Sequence, residues 1–324
     1  MRIKNYILFL LAAVVCACTN VEKRDVTVHA CAAMPSGRAS ACACVCDGKA
    51  YVFSGRDQKG TYLNDLWEYD PVTDTWKDLG SSPMKARVNA IMTAYDGKIY
   101  AGLGYSALRA YNDSAYQRDW WEYTPQTGVW KRLADYPSQH TVKPICVTDG
   151  NAVYVLYGCG YSQQSDVWQY TIASGQWQIL PRAPQQHPNA FGCTGTMFQG
   201  VAYLGTGFNA HNLTHWWRIT LPEDEWHACA SLPGKGREFS ACTAGKEHIY
   251  LFGGRFFAGE MTGGEIFDTF MRYSPDKDRW EWCGTMPCGR AENQIAFTIG
   301  GKAYFGLGEN EKGETINQLY RIEE

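Results

Sequence analysis

The stretch Ile249-Tyr250-Leu251-Phe252-Gly253-Gly254 decides the fold, because its pattern occurs six times along the chain. In each copy a glycine follows a tyrosine by four residues. The six pairs are Tyr51/Gly55, Tyr100/Gly104, Tyr154/Gly158, Tyr203/Gly207, Tyr250/Gly254 and Tyr304/Gly308. Spacing that is constant within a unit but varies between units is the signature of a structural repeat. The chain is therefore predicted to consist of six similar units.

Each of the first five units also contains a tryptophan and, seven residues later, a proline. The tryptophans are Trp76, Trp130, Trp177, Trp226 and Trp280, and the prolines are Pro83, Pro137, Pro184, Pro233 and Pro287. Within a unit the apolar runs are short and are separated by turn residues such as Ser274-Pro275-Asp276, so each unit is predicted to form four short strands. Successive tryptophans are 54, 47, 49 and 54 residues apart.

These spacings, and segments such as Asp65-Leu66-Trp67-Glu68-Tyr69-Asp70-Pro71, resemble kelch repeats, whose length is about 50 residues. The resemblance covers residues 26–324 and implies an all-β fold, a six-bladed kelch β-propeller. The last unit ends at Glu324 without its fourth strand. Val28 and Cys31 occupy the expected spacing before Pro35, so Val26–Ala32 is predicted to complete the last blade and close the ring.

The first residues read as an export signal. Arg2 and Lys4 precede an apolar run that is too short to span a bilayer, and the run ends in Val15-Cys16-Ala17-Cys18. This end resembles a bacterial lipobox, which implies a signal peptide over residues 1–17, lipidation of Cys18 and a tether over residues 18–25. Lipidation of Cys16 and an ordinary secretory signal are the alternatives. The expected location is the cell envelope, as an outer-membrane lipoprotein, with the membrane face left open.

Charge and cysteine content narrow the range of partners. The net charge is −3 and the sequence has no basic run, which argues against nucleic acid as a partner. Thirteen cysteines include two in the signal region. Cys229 and Cys283 replace leucine at a repeat position, so we expect mostly free thiols that act as small hydrophobic residues. No CxxC pair is present, and neither a metal nor another cofactor is expected. A monomer is expected.

Candidate binding residues recur at three repeat positions that a propeller would bring to one mouth of its central channel. Just before the first strand stand Arg38, Arg87, His140, His187, Arg237 and Arg290; two residues later come Ser40, Asn89, Val142, Asn189, Phe239 and Glu292; after the second-strand glycine come Arg56, Tyr105, Cys159, Phe208, Arg255 and Glu309. Arginines, polar groups and aromatic rings at one mouth suit a glycan, a carboxylated sugar or an acidic peptide. The alternative is that the arginines brace neighbouring blades by bonding to backbone carbonyls.

Two enzyme families with this fold offer comparisons. Galactose oxidase needs a copper site of tyrosines and histidines, but no histidine here directly follows a tyrosine as one copper ligand does in that family. The chain is also similar to the bacterial N-acetylneuraminate epimerase family, which implies Glu309 as an acid/base residue. That family has an arginine six residues after the glutamate, whereas this chain has Thr315. We therefore expect a lipid-anchored ligand-binding propeller. The alternatives are a mutarotase for sialic acid or a related sugar, and a scaffold for a protein partner in an envelope complex.

Overall fold

A computed structural model of the chain describes residues 26–106, 113–139, 141–158, 166–180, 190–222, 225–258 and 264–323. Thirty strands, several of them only two residues long, account for nearly all of the regular structure in these ranges. The exception is a short 3₁₀ helix, Asp113–Ala115. Within the described ranges, no helix is long and apolar enough to cross a membrane.

Strands β2 to β13 form the first three blades after β1 (Thr27–Ala30). Blade 1 contains β2 (Cys42–Cys46), β3 (Lys49–Phe53), β4 (Asp65–Asp70) and β5 (Thr75–Ser81). Blade 2 contains β6 (Ile91–Tyr95), β7 (Lys98–Gly102), β8 (Trp120–Thr124) and β9 (Val129–Arg132). Blade 3 contains β10 (Ile145–Thr148), β11 (Ala152–Leu156), β12 (Val167–Thr171) and β13 (Gln176–Leu180).

The next two blades add short strand pairs at one end of the sheet. Blade 4 contains β14 (Thr194–Phe198) and β15 (Val201–Gly205), the short pair β16 (Phe208–Asn209) and β17 (His211–Asn212), then β18 (Trp216–Ile219) and β19 (Trp226–Cys229). Blade 5 contains β20 (Ala241–Ala244) and β21 (Ile249–Phe252), the short pair β22 (Arg255–Phe256) and β23 (Glu265–Ile266), then β24 (Thr269–Ser274) and β25 (Arg279–Thr285).

Blade 6 combines the two ends of the chain. After the short β26 (Ala291–Glu292) come β27 (Ile295–Ile299), β28 (Lys302–Gly306), the short β29 (Glu309–Asn310) and β30 (Leu319–Glu323). The outermost strand of this blade is β1, which pairs antiparallel with β30 so that Val28 lies opposite Ile322. The predicted six-bladed ring, closed by the N-terminal strand, is confirmed.

In blades 1, 3 and 5 the repeated tryptophan links the blade to the one before it. The indole of Trp177 donates a hydrogen bond to the carbonyl of Ala134, at 2.9 Å, and Trp280 bonds in the same way to Ala230. At the point of closure Trp76 of blade 1 donates to the carbonyl of Ala32, just after β1, at 2.8 Å. The indole ring also packs on the tyrosine of its own blade, so one side chain fills the core and satisfies a neighbouring carbonyl.

Strands β3, β11 and β21 are buried along almost their whole length because a neighbouring blade covers each face of the sheet. The ten cysteines that the structure describes are all free. Burial raises the pKa of several of their thiols, including Cys44 and Cys242, which keeps them protonated and unreactive. The prediction of free thiols is confirmed for these ten, while Cys159 lies outside the described residues.

The connections between strands divide the propeller into two faces. Each first strand leads to its second, and each third to its fourth, through tight turns on one face. The longer connections from second to third strand, and from blade to blade, lie on the other face, which we call the mouth face. Propellers commonly bind their ligands on loops around the central channel. The mouth face therefore holds the predicted site residues.

Candidate functional site

Short antiparallel bridges place one residue pair of each described unit at the channel mouth. The residue after each second-strand glycine pairs with a residue just before the first strand. The pairs are Arg56 with Ala39, Tyr105 with Val88, Phe208 with Phe191, Arg255 with Glu238, and Glu309 with Glu292. The predicted convergence of Arg56, Tyr105, Phe208, Arg255 and Glu309 on one face is thus seen in the structure.

Three of the predicted mouth arginines are instead buried inside the blades. Arg38, Arg87 and Arg237 are only 0, 0 and 1 % exposed. Arg38 donates two hydrogen bonds to Asp65, at 2.8 and 2.9 Å. Arg87 likewise donates a bidentate pair of hydrogen bonds to Asp119. Because all three guanidinium groups are buried away from solvent, the structure corrects the prediction that they bind a ligand.

The three arginines brace their blades by also reaching backbone carbonyls. Arg38 donates to Ser54, Arg87 to Leu103 and Arg237 to Gly253, each at the end of a second strand. Among the described residues, Arg237 has no carboxylate partner comparable to Asp65 in blade 1. Its guanidinium lies 4.0 Å from the ring centroid of Phe267, and burial lowers its pKa to about 10. The alternative interpretation of this register, as a bracing position, is correct for all three.

In blade 6 the residue at the arginine position of the repeat is not the predicted one. In blades 1 and 4 the second-strand glycine donates to the carbonyl of the next blade's arginine, as Gly55 does to Arg87. Gly254 donates instead to Ala291, so Ala291 occupies the arginine position and Arg290 precedes it. Arg290 is exposed and contacts Ile266 and Glu311 away from the mouth network. Of the other predicted residues, His140, His187 and Asn189 lie outside the described ranges, as does Cys18.

A ring of residues with left-handed backbone conformation surrounds the channel mouth. We call it the inner ring; its members are Ser40, Asn89, Lys143, Gly192, Phe239 and Asn293, with φ between 52° and 64°. Backbone hydrogen bonds connect several of them, from Asn89 to Ser40, Ser40 to Asn293, Asn293 to Phe239, and Phe239 to Gly192. Four kinds of side chain, from serine, asparagine, lysine and phenylalanine, are thereby presented at equivalent positions of different blades.

The sequence prediction missed three inner-ring residues, Lys143, Gly192 and Asn293, and Lys143 matters most for the site. The predicted position in its unit was Val142, one residue earlier, because the spacing had been counted from His140. The signal that could have found it is the alignment of Lys143 with Asn89 and Phe239 just before the first strand. Its ammonium group donates to the side-chain oxygen of Asn293 at 2.5 Å, which joins blade 3 to the opposite blade 6.

A continuous polar network extends from Lys143 to blade 1. Asn293 accepts from Lys143 and donates to one carboxylate oxygen of Glu309 at 3.1 Å. The other oxygen of Glu309 accepts from Arg56. The sequence had singled out Arg56 and Glu309 but not Asn293, which connects them to the lysine.

Arg255 forms a second branch of this network in blade 5. Its guanidinium donates to Glu238 at 2.8 Å and lies 3.5 Å from the carboxylate of Glu292. It also lies 4.7 Å from the ring centroid of Phe239, and the ammonium group of Lys143 lies 4.0 Å from the same ring. The aromatic ring of Phe239 therefore contacts two cations and stabilises both.

Burial perturbs the charges of this network. Burial lowers the pKa of Lys143 to about 8, although the carboxylates of Glu292 and Glu238 oppose that effect. Burial likewise raises the pKa of Glu292 and of Glu238. Perturbed titratable groups that face one another in a concave site are typical of functional sites.

Aromatic residues line the outer part of the mouth. Tyr105 packs edge-on against Tyr116, with ring centroids 5.2 Å apart, and Phe208 packs against Phe257 at 5.5 Å. Phe257 is also 5.7 Å from the guanidinium of Arg255, so this aromatic pair borders the charged network directly. Asn89 stands on the inner ring between Ser40 and Lys143.

The comparisons agree with this architecture. The model named KLHDC2/KLHL20/DRC7 Kelch-repeats domain matches residues 13–207, more than half of the chain, and the Kelch motif matches residues 236–287. This chain belongs to the kelch-repeat family. No curated protein matches it. A solved structure titled "Structure of YjhT" superposes with a TM-score of 0.76 at 13 % identity, covering 90 % of this kelch propeller and 99 % of the other chain. At that identity the likeness shows the fold alone.

The bracing role of the buried arginines predicts a stability difference within the kelch repeat. Arg38→Met should lower the free energy of unfolding by about 3 kcal/mol, because Asp65 loses its paired cation inside the blade. Urea denaturation measures the change. The matched variant Arg290→Met, at an exposed side chain, should stay within about 0.5 kcal/mol of the parent. Equal effects of the two substitutions would contradict the bracing role.

The environment of Lys143 predicts an unusual titration. After reductive ¹³C-methylation, the Lys143 signal should titrate with a pKa of about 8. Glu292→Gln should lower that pKa further, since it removes a carboxylate that favours the charged amine. Lys49 is the internal control, because its hydrogen bond to Glu68 raises its pKa instead. A Lys143 pKa near 10.4, the ordinary value for lysine, would show that the ammonium is solvated.

Proposed function

We propose that this kelch propeller is a carbohydrate-binding protein that takes its ligand at the mouth-face end of the central channel. The observation that supports the proposal best is the network of Arg56, Lys143, Arg255, Asn293 and Glu309, which reaches the mouth from four blades. Sugar hydroxyls both donate and accept hydrogen bonds, so they match a site that offers amide, ammonium, guanidinium and carboxylate groups together.

The aromatic rings support a sugar as the occupant. Phe239 and Phe257 flank Arg255, and the apolar faces of sugar rings stack on such side chains. An acidic peptide was the other expected ligand. That expectation rested on a ring of arginines at the mouth, but Arg38, Arg87 and Arg237 are buried and brace the blades instead. The remaining cations Arg56 and Arg255 each have a carboxylate partner.

We further propose that the propeller is anchored in the cell envelope, as an outer-membrane lipoprotein lipidated at Cys18. The signal peptide, the cysteine and the tether over residues 18–25 lie outside the described ranges, and the proposal rests on their sequence. Val26 lies beside the turn residues Ser274 and Lys277, on the face opposite the mouth. An anchor entering there would leave the mouth open to ligands on the side away from the membrane.

A second candidate function is sugar mutarotation, because two carboxylates face each other at the mouth. Glu292 and Glu309 are directly opposite one another in the pair formed by β26 and β29. Ring opening requires removal of the proton from the anomeric hydroxyl and protonation of the ring oxygen; closure reverses both transfers. Burial raises the pKa of Glu292, which suits a proton donor, and Glu309 bonded to Arg56 suits the acceptor.

Carbohydrate binding can be measured by saturation-transfer proton NMR and calorimetry with a panel of common monosaccharides, including N-acetylneuraminate. We expect at least one sugar to bind, and Arg255→Met to weaken it about 10- to 100-fold, because a hydrogen bond to a charged group contributes about 1.5–3 kcal/mol. Arg132→Met is the control, since Arg132 is exposed and pairs with Asp135 away from the mouth. Binding unaffected by Arg255→Met would place the ligand elsewhere.

Mutarotation is tested on the same samples by exchange spectroscopy between the two anomers of each bound sugar. If the second candidate is right, the protein accelerates exchange, and Glu309→Gln reduces the acceleration about 100-fold or more because the proton acceptor is lost. The same variant should still bind sugar. Saturation transfer without faster exchange would leave binding alone as the function.

A further inference from the structure

The charges at the mouth cancel one another, and this bears on which class of sugar binds. The network contains three cations, Arg56, Lys143 and Arg255, and three carboxylates, Glu238, Glu292 and Glu309. Arg56 is paired with Glu309, and Arg255 with Glu238. The charge of each arginine is thus compensated by a carboxylate partner.

Lys143 and Glu292 are both incompletely bonded. The polar contact of Lys143 with the described residues is the amide oxygen of Asn293, which leaves ammonium protons free to donate. Glu292 is 6 % exposed, yet its buried oxygen Oε2 accepts no hydrogen bond from a residue that the structure describes. Its nearest cation, the Nε of Arg255, is 3.5 Å away.

A buried carboxylate without a donor is costly, and such groups are normally satisfied by water or a ligand. Lys143 lies at the upper end of a cavity in the central channel that is also lined by Gln294, two residues after Glu292. Because the ammonium group of Lys143 contacts Asn293, the residue after Glu292, unused donor and acceptor capacity lie near each other. One hydroxyl group can satisfy both, by accepting from the ammonium and donating to the carboxylate.

We propose that Lys143 and Glu292 together recognise a hydroxyl of the ligand, and that the mouth is specific for neutral sugars over carboxylated ones. This inference rests on the carbohydrate-binding function proposed above and adds the ligand class. A ligand carboxylate at this place would face Glu238, Glu292 and Glu309 at close range, and like charges brought together in a poorly solvated site repel strongly. A neutral hydroxyl meets no such repulsion.

The test uses pairs of sugars that differ only at carbon 6. Methyl galactoside is compared with methyl galacturonide, and methyl glucoside with methyl glucuronide, so that a hydroxymethyl group is replaced by a carboxylate without opening the ring. Calorimetry on the full-length protein should give at least about tenfold tighter binding for the neutral member of a pair that binds. Tighter binding of the uronide would overturn the inference and leave carbohydrate binding intact. If no sugar gave a binding signal, the proposed function itself would be overturned.

Two variants separate hydroxyl recognition from a structural role. Lys143→Met and Glu292→Gln should each weaken binding of the neutral sugar about 10- to 100-fold. Glu292→Gln should also narrow the discrimination against the uronide, because it removes a repelling charge; a merely structural residue would weaken both sugars equally. Lys235→Met is the matched control, as Lys235 is an exposed lysine that pairs with Glu265. Circular dichroism melts establish that each variant is folded.

Neutral-sugar binding that survives both Lys143→Met and Glu292→Gln would also overturn the inference. The pH dependence gives an independent readout. Lys143 donates best when charged, so binding of the neutral sugar should weaken as pH rises through about 8. Loss of that dependence in Lys143→Met is expected, and its persistence would assign the titration to another group.

Discussion

The structure depends on the hydrogen bonds that three of the repeated tryptophans make to the preceding blade. Trp76, Trp177 and Trp280 donate to the carbonyls of Ala32, Ala134 and Ala230, at the end of the neighbouring outermost strand. A buried indole N–H needs an acceptor, and only a blade at the correct distance and angle supplies it. Since Ala32 follows the N-terminal strand, the same bond joins the two ends of the ring. The positions of the mouth residues follow from this geometry, because they come from blades that are distant in sequence.

Arginine has two separate roles in this repeat, and backbone register decides between them. At the position before the first strand, Arg38 and Arg87 are buried with bidentate carboxylate partners and hold the end of the second strand in place. At the position after the second-strand glycine, Arg56 and Arg255 are about one-third exposed and face the mouth. Burial raises the pKa of Asp65, but the hydrogen bonds and charge of Arg38 outweigh it and lower the pKa overall. The first role stabilises the scaffold, and the second leaves charge where a ligand can reach it.

The inner ring converts a regular scaffold into an irregular site. Its backbone is nearly the same in every described blade, with left-handed residues bonded to one another around the channel. The side chains vary from glycine to lysine and phenylalanine, and only asparagine occurs twice. Because the opposite members Lys143 and Asn293 touch, the mouth is spanned at its centre by a polar bridge. Such a ring tolerates any side chain that accepts a left-handed backbone, which explains how kelch propellers acquire different binding surfaces on one fold.

The sequence by itself determined the number of blades, the four-stranded unit, the closure through residues 26–32 and the burial of the free thiols, because these depend on local periodicity that repeats six times. It also placed Arg56, Arg255 and Glu309 at the mouth. Only the tertiary structure decided which charges face inward. A shift of one residue, which counting from the preceding cation did not reveal, moved the inner position from Val142 to Lys143 and the position of the bracing arginine from Arg290 to Ala291. The partners of Lys143 and Glu292 lie on other blades, 150 residues away for Asn293, so no local pattern could show which of them remain unsatisfied.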